Sequence, residues 1–119
     1  TLDLAESALA ADPANPAALE RARGVRAAVF GNLAACHARA GAYARAVQAA
    51  TQSLAEEPSS VKVLYRRAAA HRHLGSPDLA LADLSRALEL DPSSAAVRRE
   101  VEELRRAARG AGAGEGAGE

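Results

Sequence analysis

Ala87-Leu88-Glu89-Leu90-Asp91-Pro92 ends an apolar run on a proline, and Leu54 leads to Pro58 in the same way 34 residues earlier. Working outward from that pair, an offset of 34 also lays Gly41 on Gly75 and Ala46 on Ala80. It lays Ala34 and Ala35 on Ala68 and Ala69, and His37 on His71. Small residues recur where small residues stood. A third copy stands at the front, where Ala8-Leu9-Ala10-Ala11-Asp12-Pro13 matches the quoted stretch at an offset of 79, twice 34 plus 11. Eleven residues make very close to three helical turns, so a helix absorbs them with little rotation of its buried face. A period in this range is the signature of a stacked repeat rather than of a single irregular core.

The punctuation between the copies predicts helices throughout. Residues 2–11 read as a helix that stops at Asp12-Pro13, because the residue before a proline avoids the helical region. A long helix follows from about Ala17 to Ala40, with Asn15 as N-cap, Pro16 at its first position and Gly41 as its stop. The next runs from about Ala44 to Glu56. Ser60 caps another that reaches His73 and stops at Gly75, and Pro77 opens one that ends at Asp91-Pro92. Ser94 caps a last helix to about Arg109, whose Val97, Val101 and Leu104 form a one-sided apolar stripe. The Gly/Ala run over 110–119 has no large apolar side chain and reads as a flexible tail.

Composition agrees with an all-α fold. Of the 49% apolar residues, 33 are Ala, only three residues are aromatic, and Ile is absent. Ala and Leu favour close-packed helices, whereas strands favour the β-branched and aromatic types that are scarce here. At 119 residues there is room for one domain. Fifteen basic and fifteen acidic residues cancel, which gives no general attraction to nucleic acid or membrane. No run of 18 apolar residues exists to span a bilayer. Thr1-Leu2-Asp3-Leu4 lacks the basic stretch of a signal peptide and reads as the cut end of a longer chain or a processed product. The single Cys36 has no internal disulfide partner, which points to a reducing, cytoplasmic setting, and it is expected to be a small buried residue.

Over about residues 1–92 this pattern resembles the tetratricopeptide repeat. With Pro58 and Pro92 as the near-terminal prolines, Ala34/Ala68, Ala46/Ala80 and Ser53/Ala87 take that family's three small positions, and Phe30 and Leu64 take a large apolar one. Small residues let paired helices approach closely, and the large one fills the space between repeats. The chain departs from the family by placing His37 and His71 at a usual aromatic position and Arg67 at a usual Leu position. The resemblance implies an α-solenoid over 1–109, with a partial first repeat at 1–13 and a second repeat at 16–58 whose first helix is extended. A third repeat at 60–92 and a capping helix at 94–109 complete it. The truncated first repeat is expected to expose the apolar face of residues 2–9, including Leu2 and Leu9, and to leave the module marginal or self-associating.

Charge is sorted between the two helix classes. Five Arg and no acid lie between Arg21 and Ala55, and Lys62, Arg66, Arg67 and Arg72 lie between Pro58 and Pro77, again without an acid. The acids fall in the second helices and beyond, at Glu56, Glu57, Asp78, Asp83, Glu89 and Asp91. Positive charge on the helices that line the concave face in this family points to an anionic ligand. Lys62 and Arg66 are four apart on one helix, and Asn32 holds the place of Arg66 one repeat earlier. An amide, a Lys and an Arg converging on one groove suit a carboxylate. In this the chain resembles the carboxylate-clamp subgroup found in immunophilin co-chaperones and in the aryl hydrocarbon receptor-interacting protein. That resemblance implies an interaction module binding the Glu-Glu-Val-Asp C-terminus of heat-shock chaperones of the ninety- or seventy-kilodalton class. Asn32, Lys62 and Arg66 match three of the five clamp residues, and Arg39, Tyr65 and His73 are possible additional groove contacts. A preceding peptidyl-prolyl isomerase-like domain is part of the same expectation.

The other chemistries fare worse. His71 and His73 are two apart on a helix and point in different directions, with no acid beside them to complete a metal site. Cys36 and His37 are neighbouring helical positions and diverge, so they make no catalytic pair. No glycine-rich phosphate loop follows a strand, and no cofactor is expected. Three aromatic residues give nucleic-acid bases little to stack on. The chain therefore reads as a binding module and not as an enzyme. A scaffold that binds a helix or another protein through apolar surfaces, with the clamp residues incidental, is the alternative.

Overall fold

A computed structural model describes residues 15–118, with side-chain surroundings through Gly110. The partial repeat read at 1–13 and the exposure of Leu2 and Leu9 lie outside the described residues. Within them the chain forms α1 (Pro16–Arg39), α2 (Tyr43–Glu56), α3 (Val61–His73), α4 (Pro77–Leu90) and α5 (Ala95–Gly118), with no strand among the described residues.

Each boundary has a local cause. The Asn15 side chain accepts hydrogen bonds from the amides of Ala17 and Ala18 at 3.0 and 3.2 Å, and Pro16 supplies the first helical φ. Ser60 and Ser94 accept from the amides of Val63 and Val97, each at 3.3 Å. Gly41 and Gly75 both sit at φ 78, the left-handed region that costs other residues a steric clash. Around Gly41 the amide of Gly41 donates to Ala38 and that of Ala42 to His37. Around Gly75 the amide of Gly75 donates to Arg72 and that of Ser76 to His71. Both helices thus close by the same paired-bond motif, 34 residues apart. Beyond α2 and α4, Pro58 and Pro92 prevent continuation.

The helices pack as successive antiparallel pairs, α1 on α2 and α3 on α4, with α2 joined to α3 and α5 closing the end. All six small positions are buried: Ala34, Ala68, Ala46, Ala80, Ser53 and Ala87. Leu54, Val63, Leu64 and Leu84 fill the space between them, and Val97 and Leu104 of α5 complete the cluster. The outer face of α5 is charged and exposed. This core is dominated by Ala, so close backbone approach rather than bulk holds the helices together. Gly31 marks one close approach. A Cβ built on it would lie 3.3 Å from Val63 Cγ2 and 3.5 Å from Ser53 Oγ.

Two expectations are corrected here. Cys36 is exposed, not buried. The buried face of α1 runs through Ala27, Gly31 and Ala34, and a residue two places after Ala34 falls on the opposite side of a 3.6-residue helix. The stretch read as a flexible tail from Gly110 is instead the continuation of α5 to Gly118. It contains no proline to bar the helix, although its alternate glycines are poor helix formers.

Candidate functional site

The first helices of the two repeats, α1 and α3, lie side by side and enclose a cleft of about 190 Å³ with the α2–α3 connection. Gly31, Asn32, Ser53, Glu57, Ser60, Lys62, Val63 and Arg66 are among its lining residues. The three residues singled out from the sequence, Asn32, Lys62 and Arg66, are therefore brought together on one concavity. Arg66 is half-buried there, and its Nη1 donates to the Gly31 carbonyl of α1 at 3.0 Å. That bond ties α3 to α1 directly beside Asn32. Asn32 and Lys62 are exposed to solvent. Among the described residues Lys62 has no carboxylate within ion-pair distance.

At the cleft wall, Ser53 donates its hydroxyl to the Ala27 carbonyl at 2.7 Å, which pins α2 against α1. Arg39, Tyr65 and His73 do not line the cleft. Tyr65 packs half-buried against the core. His73 stacks on Tyr43, ring centroids 4.3 Å apart and planes within 5°. His71 points elsewhere, to within 4.0 Å of Asp83, as expected of two histidines two places apart.

The sorted charges are only partly free. Arg26 reaches Glu56 at 3.2 Å, Arg67 pairs with Asp83, and Arg72 pairs with the buried Glu100 of α5. Three of the arginines on the first helices thus join those helices to their neighbours rather than facing a ligand. Arg67 donates through Nε and Nη2 to the two Asp83 oxygens, and through Nη1 to Thr51 Oγ1 at 3.2 Å. The Asp83 hydrogen bond raises the Arg67 pKa above its ordinary value. Burial lowers that of His71 against the opposing pull of Asp83, with Arg67 adding to the lowering. An Arg at a position where the family places Leu is therefore compensated by an acid from the facing helix. Reading positions within one repeat missed that pairing, because the partner lies on the next helix. Reading also missed Glu57, which brings an acid into the cleft from just outside the acid-free stretches.

Residues 61–94 match the model of the tetratricopeptide repeat. Over those residues the chain carries a repeat of that family. The matched tetratricopeptide repeat begins at α3 and ends at the Ser94 cap of α5. Among similar curated proteins is the FK506-binding protein-like protein of Rattus norvegicus, 40% identical over 76 residues, which are 64% of this chain and 22% of that protein. Another is peptidyl-prolyl cis-trans isomerase FKBP4 of Bos taurus, 34% identical over 82 residues, 69% of this chain and 18% of that one. The matches thus span about a fifth of the length of these relatives. Among solved structures, the first tetratricopeptide-repeat domain of Spaghetti, bound to the HSP90 peptide SRMEEVD, superposes with a TM-score of 0.65. It is 26% identical, with 90% of this chain and 76% of that one covered. The C-terminal repeat domain of an FK506-binding protein from Plasmodium falciparum superposes at a TM-score of 0.73 with 22% identity, over 90% and 74% of the two chains. That second likeness is one of fold.

Proposed function

We propose that this tetratricopeptide-repeat chain is the interaction module of a co-chaperone, holding the acidic C-terminus of a cytosolic heat-shock chaperone in the cleft between α1 and α3. The observation that carries the reading is the meeting of Asn32, Lys62 and Arg66 on one cleft. Among the described residues Lys62 brings an unpaired ammonium, Asn32 an amide donor, and Arg66 a guanidinium with donors left beyond the one given to Gly31. These are complementary to an oxyanion such as a carboxylate. The structural neighbour from Spaghetti carries a peptide ending in Glu-Glu-Val-Asp, which has that chemistry. In this reading the module binds and does not catalyse, and any isomerase activity of the kind printed in the relatives' names belongs to a separate domain. A cytoplasmic location, where Cys36 stays reduced, completes it.

One observation favours a second reading. Val25, Val29 and Leu33 are exposed at successive four-residue steps, which gives α1 an apolar row away from the cleft. Docking of another protein surface on that row is the scaffold function, and it leaves the cleft unused.

Titration with SRMEEVD beside its C-terminally amidated form separates the two. The clamp reading expects the amide to bind more weakly, and Lys62→Ala to lose about ten-fold in affinity, as for a hydrogen bond to a charged group. Arg105→Ala on the exposed face of α5 serves as control. If Lys62→Ala together with Arg66→Ala left the affinity at the wild-type value, the cleft would not be the binding site and the scaffold reading would stand.

A further inference from the structure

The same corner of the repeat occurs twice, as Glu57-Pro58-Ser59-Ser60 and Asp91-Pro92-Ser93-Ser94, and the two acids behave differently. Asp91 is consumed locally: its Oδ1 accepts from the Ser93 amide at 3.2 Å and from the Ser93 hydroxyl at 2.8 Å. Glu57, one methylene longer at the equivalent place, has no side-chain hydrogen bond and no ion pair among the described residues. It lines the cleft instead, with Lys62 and Arg66. Its position is also electrostatically adverse. It caps the C-terminus of α2, where the helix dipole disfavours a carboxylate, next to Glu56 and with no basic residue in the last turn. Glu56 is compensated by Arg26, whereas Glu57 is not. Among the described residues this carboxylate stands at the unfavourable end of a helix without a partner, on the lining of the basic cleft, and lacks the turn-holding bonds of its repeat equivalent.

We infer that Glu57 is a specificity-determining residue of the cleft, selecting ligands that place a cation or a hydrogen-bond donor beside the anchored carboxylate and rejecting those that place an acid there. This rests on the acidic-peptide reading of the site. Lys62, Arg66 and Asn32 supply the attraction for the carboxylate, and Glu57 gives part of the same rim the opposite sign. A ligand that is acidic at every position meets repulsion at that rim. One that alternates sign is matched on both sides.

The test is a charge scan of SRMEEVD, each of the first six positions replaced in turn by Lys and by Glu, titrated against the full chain. At one position the Lys peptide binds wild type about 3–10-fold more tightly than the Glu peptide, the scale of a single charge pair in a partly solvated cleft. Glu57→Gln brings that ratio close to one, while Asp91→Asn leaves it unchanged. Raising the salt concentration shrinks the wild-type ratio. If every position shows the same ratio in wild type and in Glu57→Gln while Lys62→Ala still loses affinity, the role of Glu57 is overturned and the clamp stands. If Lys62→Ala binds as wild type, the anchor is wrong and the selectivity built on it falls too.

Discussion

Arg67 and Asp83 face each other across α3 and α4 through two parallel hydrogen bonds, Nε to Oδ2 at 2.7 Å and Nη2 to Oδ1 at 2.6 Å. Asp83 is 7% exposed, so the pair sits inside the repeat rather than on it. Thr51 of α2 takes a third donor of the same guanidinium, so one side chain joins three helices. Removing one partner leaves the other charge without compensation, whereas replacing both removes the need for it. Asp83→Ala is expected to lower stability by about 2–3 kcal/mol, below the figure for a fully buried pair because Arg67 remains partly wetted. Arg67→Leu with Asp83→Ala is expected to recover most of that loss. Urea unfolding of the two single variants and the double variant checks it, and a double variant less stable than Asp83→Ala alone would contradict it.

His71 gives the fold a pH dependence with a definite sign. Burial lowers its pKa in the folded chain, so the unfolded chain takes up the proton first as pH falls. The folded state is then favoured while His71 is neutral in both states, above its ordinary value of 6.5, and loses that advantage as pH falls through it. Denaturation midpoints measured at pH 7.5 and 5.5 should therefore drop for wild type by more than for His71→Gln. Equal drops would show that His71 is not the group responsible.

Two glycines inside α1 should respond in opposite directions. Gly24 has no atom within 4 Å of a built Cβ, so Gly24→Ala is expected to stabilise the chain by about 0.5–1 kcal/mol through helix propensity alone. Gly31 faces Val63 and Ser53 at contact distance, and Gly31→Val is expected to destabilise it by roughly 1–3 kcal/mol by wedging α1 from α3. The second change also fills the cleft, so peptide affinity should fall with it. Thermal melts and a titration on the same samples report both.

Lys62 and Arg66 share a cleft but differ in what they hold. Lys62 is exposed with no acid partner among the described residues, so Lys62→Ala should leave stability within about 0.5 kcal/mol. Arg66 is half-buried and bonded to the Gly31 carbonyl, so Arg66→Ala should cost about 1 kcal/mol of folding stability besides its effect on binding. Both line the groove, but the Gly31 bond gives Arg66 a part in holding α3 to α1 as well. Equal melting temperatures for the two variants would show that this bond carries no weight.

What the sequence determined by itself is local and periodic. Asn15, Ser60 and Ser94 as caps, Gly41 and Gly75 as stops, and Pro58 and Pro92 as barriers act through their own backbone within a few residues. They are legible one at a time, and their 34-residue spacing made the stacking of helix pairs legible too. The meeting of Asn32 with Arg66 followed from the same period, since equivalent positions on adjacent first helices are neighbours. Tertiary structure decided whatever depends on a partner far along the chain. Arg67 finds Asp83 16 residues away, Arg72 finds Glu100 across 28, and His73 finds the ring of Tyr43. No spacing rule within one helix announces those pairs. Glu57 and Asp91 show the division most plainly, for they hold equivalent places in the period. The Asp91 bond to Ser93 is local, two residues on, whereas only packing makes Glu57 part of the cleft lining, because Coulomb energies there depend on the distances that packing sets.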